Sequence, residues 1–153
     1  MIKLKKILCP IDFSACSTYA LNYAIDLSAK EDASLYLIHV IETHISDIKD
    51  IVQQIDLLLD DTQTDNFRMR LVNLIPDDIQ THITIEPIVE KGTAFVEIIK
   101  TAKDKQVDLI VMGTHGRTGL EHILIGSVAE RVIQKAPCPV LSVRLPKQIF
   151  SMP

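Results

Sequence analysis

Apolar positions along the chain alternate between two rhythms. Residues 7–11 form a short, nearly unbroken apolar run, and residues 35–41 form another. Between them Ala20, Leu21, Ala24, Leu27 and Ser28 recur at intervals of three and four. A continuous run suits a strand buried on both faces, whereas three-four spacing marks one face of a helix. Strands are therefore predicted at 7–11, 35–41, 82–89, 107–112 and 140–145, with helices between them. Ser14 or Ser17 is placed to cap the first helix, and the polar Lys30-Glu31-Asp32 ends it. After residue 42, Ile48, Ile51, Val52, Ile55, Leu58 and Leu59 mark an amphipathic face. A polar stretch at 60–66 interrupts it, and Phe67, Leu71, Leu74 and Ile75 resume it up to Pro76-Asp77-Asp78. This long connection holds one bent helix or two, with a solvated outer face. Gly92-Thr93 opens the next helix, with Phe95, Ile98, Ile99 and Ala102 inward. Ser127 is placed to cap the last helix, which carries Val128, Val132 and Ile133, and Ala136-Pro137-Cys138-Pro139 stops it.

Strands that alternate with helices imply a parallel sheet with right-handed crossovers. Pro87 has no amide hydrogen to give a ladder, so the third strand should lie at a sheet edge. No internal repeat or interdomain linker interrupts the pattern. One domain over residues 1–146 and a short tail over 147–153 account for the whole length of 153 residues.

Composition narrows the function more than the fold. A net charge of −4, with no basic stripe, argues against general nucleic-acid binding. Three scattered cysteines, Cys9, Cys16 and Cys138, fit a reducing compartment better than a disulfide framework. The basic start MIKLKKIL runs into Pro10 and Asp12 without a cleavage site, and no stretch is long enough to span a membrane. A cytoplasmic location is expected.

The candidate chemistry lies in residues 107–132. The apolar run of the fourth strand breaks into Gly113, Gly116 and Gly119, and Gly126-Ser127 then opens a helix. Glycine permits close backbone approach and positive φ, and amides left without partners in turns or at helix N-termini attract anions. Taken alone, such glycines are more often turn punctuation than a phosphate cradle. No Gly-Lys-Ser/Thr follows, and the spacing is not that of a dinucleotide fingerprint.

Gly113, two residues, Gly116, nine residues, then Gly126-Ser127 reproduces a longer pattern, G-2x-G-9x-G-S/T. With MGTHGRTG and IGSVAERVI around it, KKILCPIDFS at the start and APCPVLSVR at the end, the chain resembles the universal stress protein family. More narrowly, it resembles that family's ATP-binding class. The resemblance covers residues 5–144 in order and is one of type only across about 42–82. It implies an α/β three-layer sandwich with a five-stranded parallel sheet of order 3-2-1-4-5, Rossmann-like and akin to the adenine nucleotide alpha hydrolases. Strands one and four are then neighbours where the winding reverses, which is where open α/β sheets bind ligands. The resemblance also implies adenine and ribose contacts from Pro10, Ile11, Asp12, Val40 and Met112. Phosphates would lie along Gly113, Gly116, Arg117 and Gly126, with Ser127 and Val128 adding amides and a hydroxyl. Mg²⁺ or Mn²⁺ would ride on the phosphates. The family pairs its last strand with a second copy, so a homodimer through residues 138–145 is expected.

Each of these residues also has a plainer reading. Asp12 suits hydroxyl or amine donors, but it could instead cap the first helix. Val40 and Met112 could be simple core. Arg117 and His115 could be solvated loop residues, and Gly92, a candidate border of the pocket, could only start a helix. Nothing points to protein-held metal or a catalytic nucleophile: the histidines lack ligand spacing, and no glycine sits two residues after Ser127. Asp12 lacks the neighbouring acidic pair of a phospho-receiver. Cys9 lies in a core strand, where a thiol is usually inert packing rather than a sensor. The expected function is an ATP-binding regulatory dimer of the stress response, with at most slow hydrolysis and no catalytic residues assigned. The alternatives are an ATPase with its own turnover and a non-enzymatic protein-interaction domain.

Overall fold

A computed structural model describes residues 1–43, 55, 61–115 and 125–146. The described elements run β1 (Lys6–Pro10), α1 (Ala15–Glu31), β2 (Ser34–Glu42), α2 (Asp61–Val72), α3 (Asp77–Gln80), β3 (Ile85–Gly92), α4 (Ala94–Lys105), β4 (Leu109–Gly113), α5 (Ser127–Lys135) and β5 (Val140–Val143). All strand pairs are parallel, and the order is β3-β2-β1-β4-β5. Pro87 stands opposite Leu37 on β3, at the edge the sequence assigns to it.

The period-two alternation of the strands sorts side chains into two cores. Ile7, Cys9, Leu35, Leu37 and Val111 pack with Ala20, Leu21 and Ala24 of α1 and with Leu71 of α2. Leu8, Tyr36, Ile38, Ile110 and Met112 pack with Ile98 and Ala102 of α4 and with Ala129 and Val132 of α5. Apolar burial on both faces is why the strands read as continuous runs. The result is the expected three-layer α/β sandwich.

Several boundaries differ from the sequence reading, each for a local reason. β3 begins at Ile85 rather than at residue 82 and ends on Gly92, whose φ of 148° only glycine adopts easily. Gly92 thus closes a strand; Thr93 is the N-cap of α4. The polar stretch expected to interrupt a helix is itself helical: α2 starts at Asp61, and Asp61, Thr62, Asp65 and Asn66 lie on its exposed side. Pro76, expected to mark a break, is the N-cap of the four-residue α3. Gln80 of α3 donates from Nε2 to the carbonyls of Ile75 (2.8 Å) and Val72 (3.3 Å), tying α3 to the end of α2. Ile55 is helical and 48% exposed, and the rest of its predicted apolar face lies outside the described residues. Of the apolar positions that mark the last helix, Val132 is fully buried, whereas Ile133 beside it on α5 is 42% exposed. β5 stops at Val143, two residues short of its predicted end. Among the described residues no helix is long and apolar enough to cross a membrane.

Candidate functional site

Two neighbouring strands part and open a cleft between them. β1 stays paired with β2 through Pro10↔Ile38 but pairs with β4 only at Ile7↔Leu109 and Leu8↔Ile110. Their carboxyl ends diverge at the point where the strand order reverses, and a crevice forms there. It is a cleft of about 650 Å³.

The β1 side is a tight turn. Ile11 donates its amide to the Ile38 carbonyl (2.8 Å), so the chain stays against β2 for one more residue. Asp12 Oδ1 accepts the Ser14 amide (2.9 Å) across Phe13, whose φ is 64°. Ser14 then caps α1, its Oγ accepting the Ser17 amide at 3.2 Å. Asp12 thus braces the entry to α1 without being its cap, and it still lines the cleft. Of the two cap candidates, Ser14 takes the position.

The β4 side brings the two glycine bends together. After Gly113, the buried Thr114 gives its amide to the Val143 carbonyl (2.9 Å) and accepts the Gly126 amide (2.6 Å). Gly126, not Ser127, is the N-cap of α5, and Ser127 is its first helical residue. The Gly126 carbonyl accepts the Glu130 amide (3.0 Å). The amides of Ser127, Val128 and Ala129 therefore occupy the first turn, where helix geometry supplies no partner and the helix dipole is positive. All three residues line the cleft.

Positive φ is not what Gly113 or Gly126 provides: Gly92 is the glycine with positive φ among the described residues. At Gly113 the requirement is packing. A Cβ there would lie 2.8 Å from Cys16 Sγ and 3.0 Å from the Cys16 carbonyl carbon, in the first turn of α1.

Of the site residues named from sequence, Pro10, Ile11, Asp12, Val40, Met112, Gly113, Gly126, Ser127 and Val128 all border this one cleft. Gly116 and Arg117 lie outside the described residues. His115 also borders it, with Nδ1 2.9 Å from Thr114 Oγ1. Gly92 is not among the lining residues; its Cβ position faces Glu97 instead.

Sequence reasoning missed the wall opposite. His39, buried on β2, holds its Nδ1 2.8 Å from the Ile11 carbonyl. Its ring lies 4.9 Å from that of Phe13 and 4.4 Å from that of Phe67 on α2. The Arg70 guanidinium sits 3.9 Å from the centroid of Phe13. His39, Phe67 and Gln63 all reach the cleft. Gln63, Phe67 and Arg70 follow one another at i, i+4 and i+7, one helical stripe. That spacing was the available signal, but polar residues interleaved in the stripe hid it.

The family model described as the universal stress protein family matches residues 3–144, and the chain belongs to that family. It is 38% identical over 150 residues to universal stress protein MJ0531 of Methanocaldococcus jannaschii, covering 94% of this chain and 84% of that one. Universal stress protein MJ0577 of the same organism is 31% identical over 156 residues, covering 94% and 96%. The solved structure of MJ0577 superposes with a TM-score of 0.79 at 32% identity, covering 95% of this chain and 99% of the other. The universal stress protein of Archaeoglobus fulgidus solved in complex with dAMP has a TM-score of 0.60 at 20% identity, covering 93% and 98%, a likeness of fold.

Proposed function

We propose that the protein binds an adenine nucleotide, ATP by preference, in the cleft between β1 and β4. The observation that carries this reading is the 2.6 Å hydrogen bond from the Gly126 amide to the Thr114 carbonyl. It fuses the two glycine bends into one wall and aims the first turn of α5 at the crevice. Because that bond engages the Gly126 amide, phosphate oxygens would draw on the amides of Ser127 and Val128 and on the Ser127 hydroxyl. Gly113, Gly116 and Arg117 would continue this side. Pro10, Ile11, Val40 and Met112 would enclose the base, and Asp12 would accept hydrogen bonds from ribose hydroxyls. Mg²⁺ or Mn²⁺ would be carried by the phosphates.

The dAMP complex of the A. fulgidus relative is consistent with an adenine nucleotide on this fold. The chain would act as a cytoplasmic, nucleotide-responsive regulator of the stress response, hydrolysing ATP slowly if at all. It would pair through residues 138–145, since β5 ends the sheet and leaves Leu141 38% exposed on that strand. Isothermal titration tests the site. ATP should bind the wild-type chain, and Gly126→Leu should weaken binding at least about thirtyfold by filling the anion space, a loss of roughly 2 kcal/mol. Unchanged affinity in Gly126→Leu overturns the placement of the phosphates.

A further inference from the structure

Asp12 borders the cleft, and a single side chain holds both of its neighbours. The ladder between β1 and β2 ends at Pro10↔Ile38. One residue on, the Ile11 amide still finds a main-chain partner, the Ile38 carbonyl at 2.8 Å. The Ile11 carbonyl is met by a side chain, His39 Nδ1 at 2.8 Å. A carbonyl only accepts, so the hydrogen of that bond is carried on Nδ1. On the other side of Asp12, the Phe13 ring lies 4.9 Å from the His39 ring. His39 is thus bonded to the residue before Asp12 and packed on the residue after it.

Two features set this arrangement apart from ordinary packing. Leu35, Leu37 and Ile38 of β2 are buried and apolar, whereas His39 is as deeply buried and polar. Burying a polar ring is costly unless it has a bond to make, and its bond goes to the turn at the cleft. Phe13 has a φ of 64°, a left-handed conformation that a bulky side chain rarely adopts. Such backbone persists where its surroundings over-determine it, and it gathers at ligand sites. Here the surroundings are the His39 ring, the Phe67 ring at 5.8 Å and the Arg70 guanidinium at 3.9 Å. Within the turn so held, Asp12 Oδ1 accepts the Ser14 amide at 2.9 Å, which orients the carboxylate.

We propose that His39 is a positioning residue: through its Nδ1–H bond to the Ile11 carbonyl it holds the turn that presents the Asp12 carboxylate to the hydrogen-bond donors of a bound nucleoside. The proposal rests on the nucleotide reading of the cleft, and titration of four chains with ATP separates the two. His39→Phe keeps a ring between Phe13 and Phe67 but has no donor, and it should weaken ATP about tenfold. His39→Asn places an N–H near the position of Nδ1 without the ring, and it should recover most of that loss. Asp12→Ala should itself weaken ATP about tenfold, and adding His39→Phe to it should change the affinity by less than about twofold, because the two act through one carboxylate. Thermal melts check that each chain folds, and His39→Leu replaces His39→Phe if the latter does not. Three results overturn the role of His39 while the nucleotide site stands: wild-type affinity in the donor-less variant, His39→Asn no tighter than His39→Phe, or an undiminished His39→Phe loss in the Asp12→Ala background. The last two would mean that the imidazole only packs. If the wild-type chain does not bind ATP, both readings fall.

Discussion

The two ends of the cleft are built from different material. At the α5 end the wall is main chain: the carbonyl of Thr114, the Gly126 amide bonded to it, and the first-turn amides of α5. At the α2 end it is side chain: His39, Gln63 and Phe67, with Arg70 laid over Phe13 behind them. A main-chain wall tolerates many side chains but not an added Cβ where backbone comes close. A side-chain wall makes the opposite demand, since its specificity lies in the identity of a few residues. The difference explains why one end carries a glycine signature and the other carries none.

The glycines themselves divide on this point, and the largest expected effect separates them. At Gly113 an alanine Cβ would meet Cys16 Sγ at 2.8 Å and Cys16 main-chain atoms at 3.0 and 3.1 Å. Sulfur can rotate away; the helix backbone cannot. Gly113→Ala should therefore destabilise the fold by about 3 kcal/mol, read from the urea midpoint. Removing the sulfur as well, with Cys16→Ala, should recover only part of the loss. Gly126 has φ −67° and ψ 155°, ordinary for any residue. Gly126→Leu should lose ligand while giving up much less stability than Gly113→Ala. Equal stability losses in the two variants would abolish the distinction between a packing glycine and a ligand-side glycine.

The side-chain end is tested next. Phe67 is half-buried, and its ring contacts those of His39 and Phe13 at 4.4 and 5.8 Å. Phe67→Ala should cost about 2 kcal/mol, less than a fully enclosed phenylalanine. It should also release the α2 turn that carries Gln63 and lines the cleft, so that nucleotide affinity falls with stability. Phe67→Leu should restore most of the stability but not the ring contacts. A Phe67→Ala chain of wild-type stability would mean that α2 rests on the sheet without help from this stack.

The alternation of strands and helices, the edge position of Pro87 and the glycine end of the cleft were legible in the sequence because each depends on local grammar, whereas the strand order came from the resemblance to the family. Buried strands write continuous apolar runs, proline declares its missing donor, and glycine marks where backbone must come close. The α2 wall was not legible. Phe67 reads equally well as core, and Gln63 among Thr62, Thr64 and Asp65 reads as solvent-facing. Only the tertiary packing of α2 over β2 turns that polar position inward. The helix boundaries around Pro76 and Gly126 were misread for a related reason. Cap geometry, not residue preference, decided that Gly126 precedes the helix and that Ser127 begins it.

Beneath both ends runs β1, and Cys9 at its centre reports on the scaffold they share. Complete burial among apolar side chains holds its thiol far above the ordinary value of about 9. The folded chain therefore keeps the proton at pH values where the unfolded chain releases it. The sign follows from linkage: below about pH 8 both states are protonated and Cys9 contributes no pH dependence. Above about pH 9 the unfolded state binds fewer protons, and stability falls by about 1.4 kcal/mol per pH unit. Cys9→Ala should start less stable at pH 7, because it leaves a small void, and should lack this component of the slope. Urea midpoints at pH 7, 9 and 10 should thus show the two chains converging as pH rises. The same convergence is expected in a Gly126→Leu background, because the thiol lies in the core and not in the cleft wall. Parallel pH profiles for Cys9 and Cys9→Ala would assign the alkaline loss to another group. A convergence that disappears with Gly126→Leu would show instead that the main-chain end of the cleft and the core beneath it are not independent.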